Sequence, residues 1–330
     1  MTAEAPQKKP LVFAFLLIPE YTMMAFSSAV EPLRMANQIS GETLYEWRIL
    51  STDNQPVKAS NGISILPDSN IDDIGSLDTL FVCSGVNVRD TWSKPLLQVL
   101  HKVARRGISL GSLCTATYLL SKAGLLNGYR CTTHWENLAG MREEFPNVIY
   151  TEELFELDRD RYTCSGGSAP LDMMLRLIKD QYGPKLANSI SEMFICERIR
   201  DKHDRQKIPL LLQLGTSQPK LTEAIELMEA NIEEPMSLNE LASLVGISRR
   251  QLERLFQKHI HCVPTRHYLE LRLKRARQLL LQTDKSIVDV GLACGFVSAP
   301  HFSKCYRDHY GFPPRDERRR RCNYSEEILT

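Results

Sequence analysis

The chain has 330 residues, 43% hydrophobic and 25% charged, with 41 lysines and arginines against 40 aspartates and glutamates. That composition is globular and excludes intrinsic disorder, a collagen helix and a coiled-coil rod, while the length suits about two domains. Nine cysteines, odd in number and with no C-x-x-C pair, argue against a zinc ribbon and a disulfide framework and point to a reducing cytoplasm.

Residues 1–10 read as a disordered tail. Lys8 and Lys9 before the apolar run 11–18 imitate a secretory signal, but the run is short, ends at Pro19-Glu20 and has no small-residue cleavage site behind it. A strand buried on both faces is the better reading. No run approaches the roughly 18 apolar residues of a membrane span, so a soluble, cytoplasmic protein with no membrane partner is expected. Strand-like and helix-like stretches then alternate. Helices are predicted at 26–37, 94–105, 115–122, 135–144 and 169–181, with strands at 47–51, 79–83, 108–113, near 148–150 and at 162–164. This predicts an α/β domain with a mainly parallel sheet over residues 11–195, flavodoxin-like or amidotransferase-like. Residues 196–219, charged and then carrying Pro209, Gly215 and Pro219, read as a linker.

After the linker, capped helices replace strands, and residues 220–318 read as an all-α domain before a tail at 319–330. Ser237-Leu-Asn-Glu240 and Ser248-Arg-Arg-Gln251 are capping boxes. Between them Gly246 suits the left-handed residue that ends one helix and lets the next start at a sharp angle. With Leu241, Ala242, Val245, Leu252, Leu255 and Phe256 inward, residues 237–258 form a helix-turn-helix. The layout recurs at 286–309. Ser237, Leu238, Glu240, Leu241 and Gly246 match Ser286, Ile287, Asp289, Val290 and Gly295 at an offset of 49, and Ser248, Leu252 and Phe256 match Ser298, Phe302 and Tyr306 at 50. The second turn is therefore one residue longer. Pro264 opens a helix whose Tyr268, Leu271, Ala276, Leu279 and Leu280 would pack both units together.

Charge is uneven along the chain. Residues 1–215 carry 23 basic and 25 acidic side chains, whereas residues 248–321 carry 17 and 7, which predicts a polyanion partner. If the apolar positions face inward, Ser248, Arg249, Arg250 and Arg254 in the first unit and Ser298, His301, Lys304 and Arg307 in the second face outward. Arginine suits bidentate contact with guanine, and helix N-termini suit phosphate. A single exposed arginine is ordinary solvation; two aligned basic repeats favour double-stranded DNA.

Residues 237–315 resemble the tandem helix-turn-helix domain of the AraC/XylS regulators. The matching residues are 237–256, Pro264 to Tyr268, Arg272, Ala276, Leu279-Leu280, Ile287, Gly295-Phe296, Phe302, Tyr306 and Gly311 to Arg315; Gly291 departs from the family's usual alanine. The resemblance implies two recognition helices in successive major grooves, about one helical turn apart, and RNA polymerase as a further partner.

In the first domain, strand 108–113 running into Cys114 and then an Ala/Leu helix is a strand–Cys–helix elbow. Gly111-Ser-Leu-Cys114, Ala123-Gly-Leu-Leu126 and Thr133-His-Trp135 resemble the class I glutamine amidotransferase-like superfamily, in particular the ThiJ/PfpI branch. That branch joins this DNA-binding domain in GlxA-type regulators, and the resemblance implies a dimer through the α/β domain. Thr115 stands where the protease-like members have a histidine, and no carboxylate stands near Met24 to Phe26, so Cys114 and His134 read as a vestigial elbow rather than catalytic residues. The rival readings are an amidase or deglycase-like enzyme using Cys114 with a DNA tether, and an architectural module with a vestigial sensor. A retained pocket is the favoured reading, lined by Tyr21, Phe26, Cys114, Thr115, His134, Trp135, Gly166, Gly167 and Ser168, with Met23 nearby. Two helix starts, at 114–116 and 166–168, would hold a carboxylate, and aromatic faces a quaternary ammonium. Glu31-Pro-Leu-Arg34 and His134-Trp-Glu136 are similar to regulators of glycine betaine, carnitine and arginine catabolism. Glycine betaine or carnitine is expected ahead of arginine, whose guanidinium would ask for an acidic partner; no metal or cofactor is expected.

Overall fold

The structure, a computed structural model, describes residues 9–204, 206 and 218–319. Most of both expected tails, and residues 205 and 207–217 of the expected linker, lie outside the described residues. The chain divides into two compact units between Gln206 and Lys207.

The first unit runs β1 (Leu11–Leu17), α1 (Met23–Ser40), β2 (Tyr45–Ser51), a small hairpin of β3 (Val57–Lys58) and β4 (Ser64–Ile65), β5 (Ser69–Asn70), β6 (Thr79–Cys83), α2 (Lys94–Arg105) and β7 (Ser109–Leu113). It continues through α3 (Thr117–Lys122), β8 (Arg130–Cys131), α4 (Leu138–Glu144), β9 (Ile149–Tyr150), β10 (Phe155–Asp158), β11 (Arg161–Cys164), α5 (Ala169–Tyr182) and α6 (Pro184–Met193). Seven strands form one sheet in the order β10-β11-β7-β6-β1-β2-β5, parallel except where β10 pairs β11. β1 is apolar throughout because both faces are covered. Phe13, Phe15 and Leu17 join a core closed by α1, α5 and α6, and Val12, Ala14 and Leu16 join one closed by α2, α3 and α4. The chain leaves β1 for β2 on one side and returns to β6 on the other, so the strand order reverses beside β1. In open sheets of this kind the crevice at the strands' C-terminal ends is the ligand-binding edge.

Three parts of the first unit differ from the sequence expectation. The helix expected from 135 begins at Leu138, because Asn137 donates its amide to the His134 carbonyl, 2.8 Å away, and makes a turn of Trp135–Asn137. α6 and β10 were not anticipated: Gly183, at φ +90°, ends α5 and also precedes the proline that starts α6. The early part of the expected linker is packed on the first unit. Arg200 pairs with the buried Asp172, the Lys202 carbonyl accepts from the Leu154 amide, and Gln206 donates to Thr132 Oγ1 and the Glu153 carbonyl.

The second unit, among the described residues, is all helical: α7 (Pro219–Ala230), α8 (Leu238–Val245), α9 (Arg249–His259), α10 (Pro264–Gln282), α11 (Ile287–Ala293) and α12 (Ala299–Tyr310). Both capping boxes form, and Gly246 and Gly295 end their helices at φ +73°. At Gly295 a side chain is excluded twice, by that φ and by the Ile232 carbonyl, 2.6 Å from where a Cβ would stand. Gly291, where the family usually has alanine, lies against the Phe302 ring, 3.2 Å from its own Cβ position. α7, α8 and α9 close one core and α11 and α12 a second. α10 serves both, giving Tyr268 to the first and Leu273, Ala276, Leu279 and Leu280 to the second.

Candidate nucleic-acid interface and effector site

Burial divides α9 as the periodicity predicts. Leu252 and Phe256 are buried and Leu255 partly so, while Ser248, Arg249, Arg250, Arg254 and Gln257 are exposed. Arg249 Nε sits 2.9 Å from Glu253 Oε1, one turn on. Arg250 and Arg254 have no ion-pair partner among the described residues, which leaves two uncommitted guanidinium groups on one outward face. α12 repeats the division, with Phe302 and Tyr306 buried and Ser298, His301, Lys304 and Arg307 exposed.

The second unit's fold is pinned by two buried polar devices. Arg272 on α10 donates to the Cys294 and Gly295 carbonyls, 2.8 and 2.7 Å away, and lies 4.1 Å above the Phe296 ring, fixing the turn between α11 and α12. Burial pulls its guanidinium below the usual arginine range. The Tyr306 hydroxyl donates to the buried carboxylate of Glu317, 2.8 Å away, and Arg277 donates to that carboxylate's other oxygen.

The elbow lies at the sheet edge where the strand order reverses. Cys114 follows β7 with φ +62°, a conformation costly for a side-chain-bearing residue, and opens a single 3₁₀ turn before α3. The residue is 6% exposed. The Thr22 hydroxyl, at the start of α1, donates to its sulfur at 3.9 Å. Burial raises the thiol above its usual range, and the hydrogen bonds from Thr22 and from the Thr115 amide only partly oppose this. Thr115 donates to the Gly85 carbonyl at 2.6 Å and Thr133 to the Cys114 carbonyl at 3.1 Å, so both threonines fix the elbow backbone. Gly166 approaches so closely that a Cβ there would stand 2.7 Å from the Cys114 sulfur. His134 makes no hydrogen bond with Cys114. Its Nδ1 faces Glu136, 3.7 Å away, its ring tilts against Trp135, and burial holds it below the usual imidazole range. A protonated thiol with no base hydrogen-bonded to it among the described residues is poorly activated as a nucleophile.

The residues expected around an effector separate into two groups. Tyr21 is 0% and Phe26 5% exposed, and their rings pack edge to face on each other, so they are core. His134, Trp135, Gly167 and Ser168 are partly exposed, whereas Cys114, Thr115 and Gly166 are buried. At the start of α5, Asp172 stands in the first turn and Arg200 donates to Ser168 Oγ and to Asp172. The side chain of the N-cap Ser168 makes no capping hydrogen bond to the first turn of α5. Thr22, Glu136 and Arg200 escaped the sequence reading because each meets the site through the fold, and only Glu136, two residues from His134, carried a local signal.

The profile of the DJ-1/PfpI family matches residues 14–180, and that of a helix-turn-helix domain matches residues 241–320. The HTH-type transcriptional regulator GbdR of Pseudomonas aeruginosa is 53% identical over 96% of this chain and 88% of its own. The HTH-type transcriptional regulator CdhR of the same species is 44% identical over 93% and 91%. A crystal structure of an AraC family transcriptional regulator from Pseudomonas putida, 29% identical, superposes on 56% of this chain and all of its own with a TM-score of 0.52.

Proposed function

The chain belongs to the GlxA-type branch of the AraC family, a DJ-1/PfpI domain joined to a tandem helix-turn-helix domain, and from that premise we propose an effector-responsive DNA-binding transcriptional regulator. The observation that carries the reading is the matched pair α9 and α12, each buried on its inner face and cationic on its outer one. Arg250 and Arg254 are the strongest base-reading candidates because neither is engaged within the described residues; Arg249, held by Glu253, is better placed for phosphate. The proposed regulator activates a catabolic operon from the cytoplasm as a homodimer, with RNA polymerase as its partner.

The effector we propose is a small zwitterion, glycine betaine or carnitine ahead of arginine, at the rim formed by His134, Trp135 and Gly167–Ser168. The partly exposed Trp135 face suits a quaternary ammonium, which needs no hydrogen-bond acceptor. Glu136 offers an acidic group that arginine would want, but it already faces His134. Arg200, donating to Ser168, is the cation within reach of the carboxylate. Cys114, its thiol raised by burial and not hydrogen-bonded to a base among the described residues, is assigned no catalytic role.

Selection of duplexes from a random pool with the full chain, followed by binding at fixed salt, tests the regulator. Arg250→Ala or Arg254→Ala should cost about 1–3 kcal/mol on the selected site and relax one base position. Unchanged affinity and consensus in both would sink the base-reading assignment. Calorimetry with glycine betaine, carnitine and arginine tests the effector: Trp135→Ala should weaken a betaine by about 1–2 kcal/mol. Tight binding of arginine with none of either betaine would overturn that choice alone.

A further inference from the structure

The two helix-turn-helix units differ by one residue in their turns, and that residue can be identified. Between Gly246 and Ser248 stands only Ile247, partly buried against the first core. Between Gly295 and Ser298 stand Phe296 and Val297. Phe296 takes the inward place: it is buried in the second core, packs against Phe302, lies under Arg272 and donates its amide to the Gly291 carbonyl. Val297 is the extra residue, and it is 91% exposed, more than any other large apolar side chain described in this unit.

Its position is fixed on both sides. Phe296 anchors the residue before it, and Ser298 after it is the N-cap of α12, with its carbonyl accepting from the Phe302 amide at 3.0 Å. Val297 is therefore a stiff, β-branched apolar tip at the leading end of α12, beside the exposed Ser298, His301, Lys304 and Arg307. It adds nothing to the core. The cationic outer face of the helix that Val297 precedes draws a polyanion, and the apolar group that the major groove displays on base edges is the thymine methyl.

We propose that Val297 reads a thymine in the operator by packing against its C5-methyl group. The inference rests on the DNA-binding reading above and assigns the longer second turn a specificity role. A shorter turn, as in the first unit, would have no apolar tip to present.

Replacing thymine by deoxyuridine removes only the methyl group. Duplexes selected with the full chain are substituted one thymine at a time and titrated against the wild type and Val297→Ala at one salt concentration. At one position, deoxyuridine should weaken the wild type about three- to fourfold, the effect of burying roughly one methyl-sized group. Val297→Ala should lose a similar factor on the thymine duplex and be indifferent to deoxyuridine there. If no thymine shows the loss in the wild type, or if the variant keeps the same loss, the proposal is wrong while the DNA reading stands. If selection returns no consensus, both fall together.

Discussion

A Cβ at position 166 would stand 2.7 Å from the sulfur of Cys114, and the backbone there has φ +90°. The loop before α5 and the elbow after β7 thus meet without room for a methyl group. Gly166→Ala should destabilise the first unit by about 2–4 kcal/mol, from left-handed strain and overpacking together. Gly167, at φ +58° with nothing within 4 Å of its Cβ position, carries the strain alone, and Gly167→Ala should cost about 1–2 kcal/mol. Urea unfolding of the two variants side by side checks the difference. Equal losses would show that the close approach to Cys114 contributes nothing.

Thr22 is the side chain that hydrogen-bonds the Cys114 sulfur. A hydroxyl donated to a thiolate favours the ionised form, so Thr22→Val should push the thiol still higher. The rate of alkylation against pH should accordingly shift to the alkaline side, and a profile unchanged or shifted to acid would contradict the contact.

Burial raises several thiols of the first unit above their usual range, Cys83 and Cys114 among them, and pushes Cys164 up to about 12. An unfolded thiol ionises near 8.5 while these stay protonated. Their contribution to stability is therefore complete below about pH 8.5 and lost as pH rises toward the folded values. Denaturation midpoints of the first unit measured from pH 7 to about 10.5 should hold level and then fall. A rise above pH 9 would contradict the burial.

In the second unit, Tyr306→Phe removes the hydroxyl that donates to Glu317, whose carboxylate is 3% exposed. Arg277 remains on the other oxygen, so the carboxylate is left partly satisfied. The expected loss is about 1.5–3 kcal/mol, the range for a hydrogen bond to a charged group. Thermal unfolding of the second unit reads it directly, and a loss below 0.5 kcal/mol, on the order of an ordinary surface substitution, would show that the bond is idle.

What the sequence disclosed was local, and what it withheld was not. The bounds of α2 and β6 match their predicted ranges, and the capping boxes at Ser237 and Ser248 form as spaced, because caps and apolar runs are written within a few neighbouring residues. The division of α9 and α12 into inner and outer faces followed from period alone. β10 stayed hidden because it is a short edge strand carrying Glu156 and Asp158, and α6 because Gly183-Pro184 reads as a stop before it reads as a start. At the elbow, the position of Cys114 was legible, whereas its partner Thr22 lies 92 residues away and no spacing rule connects them. The glycines before α5 pointed to the helix start, whereas Arg200, which donates to Ser168 there, arrives from residues that looked like linker.

With the DNA reading proposed above, the shared helix α10 would constrain the operator itself. Because its residues belong to both cores, α9 and α12 are mounted on one shaft rather than on separate hinges. A single base pair inserted between the two recognised segments turns one about 34° out of phase with the other. If α9 and α12 read DNA as proposed, the spacing of the two segments is then read along with their sequence.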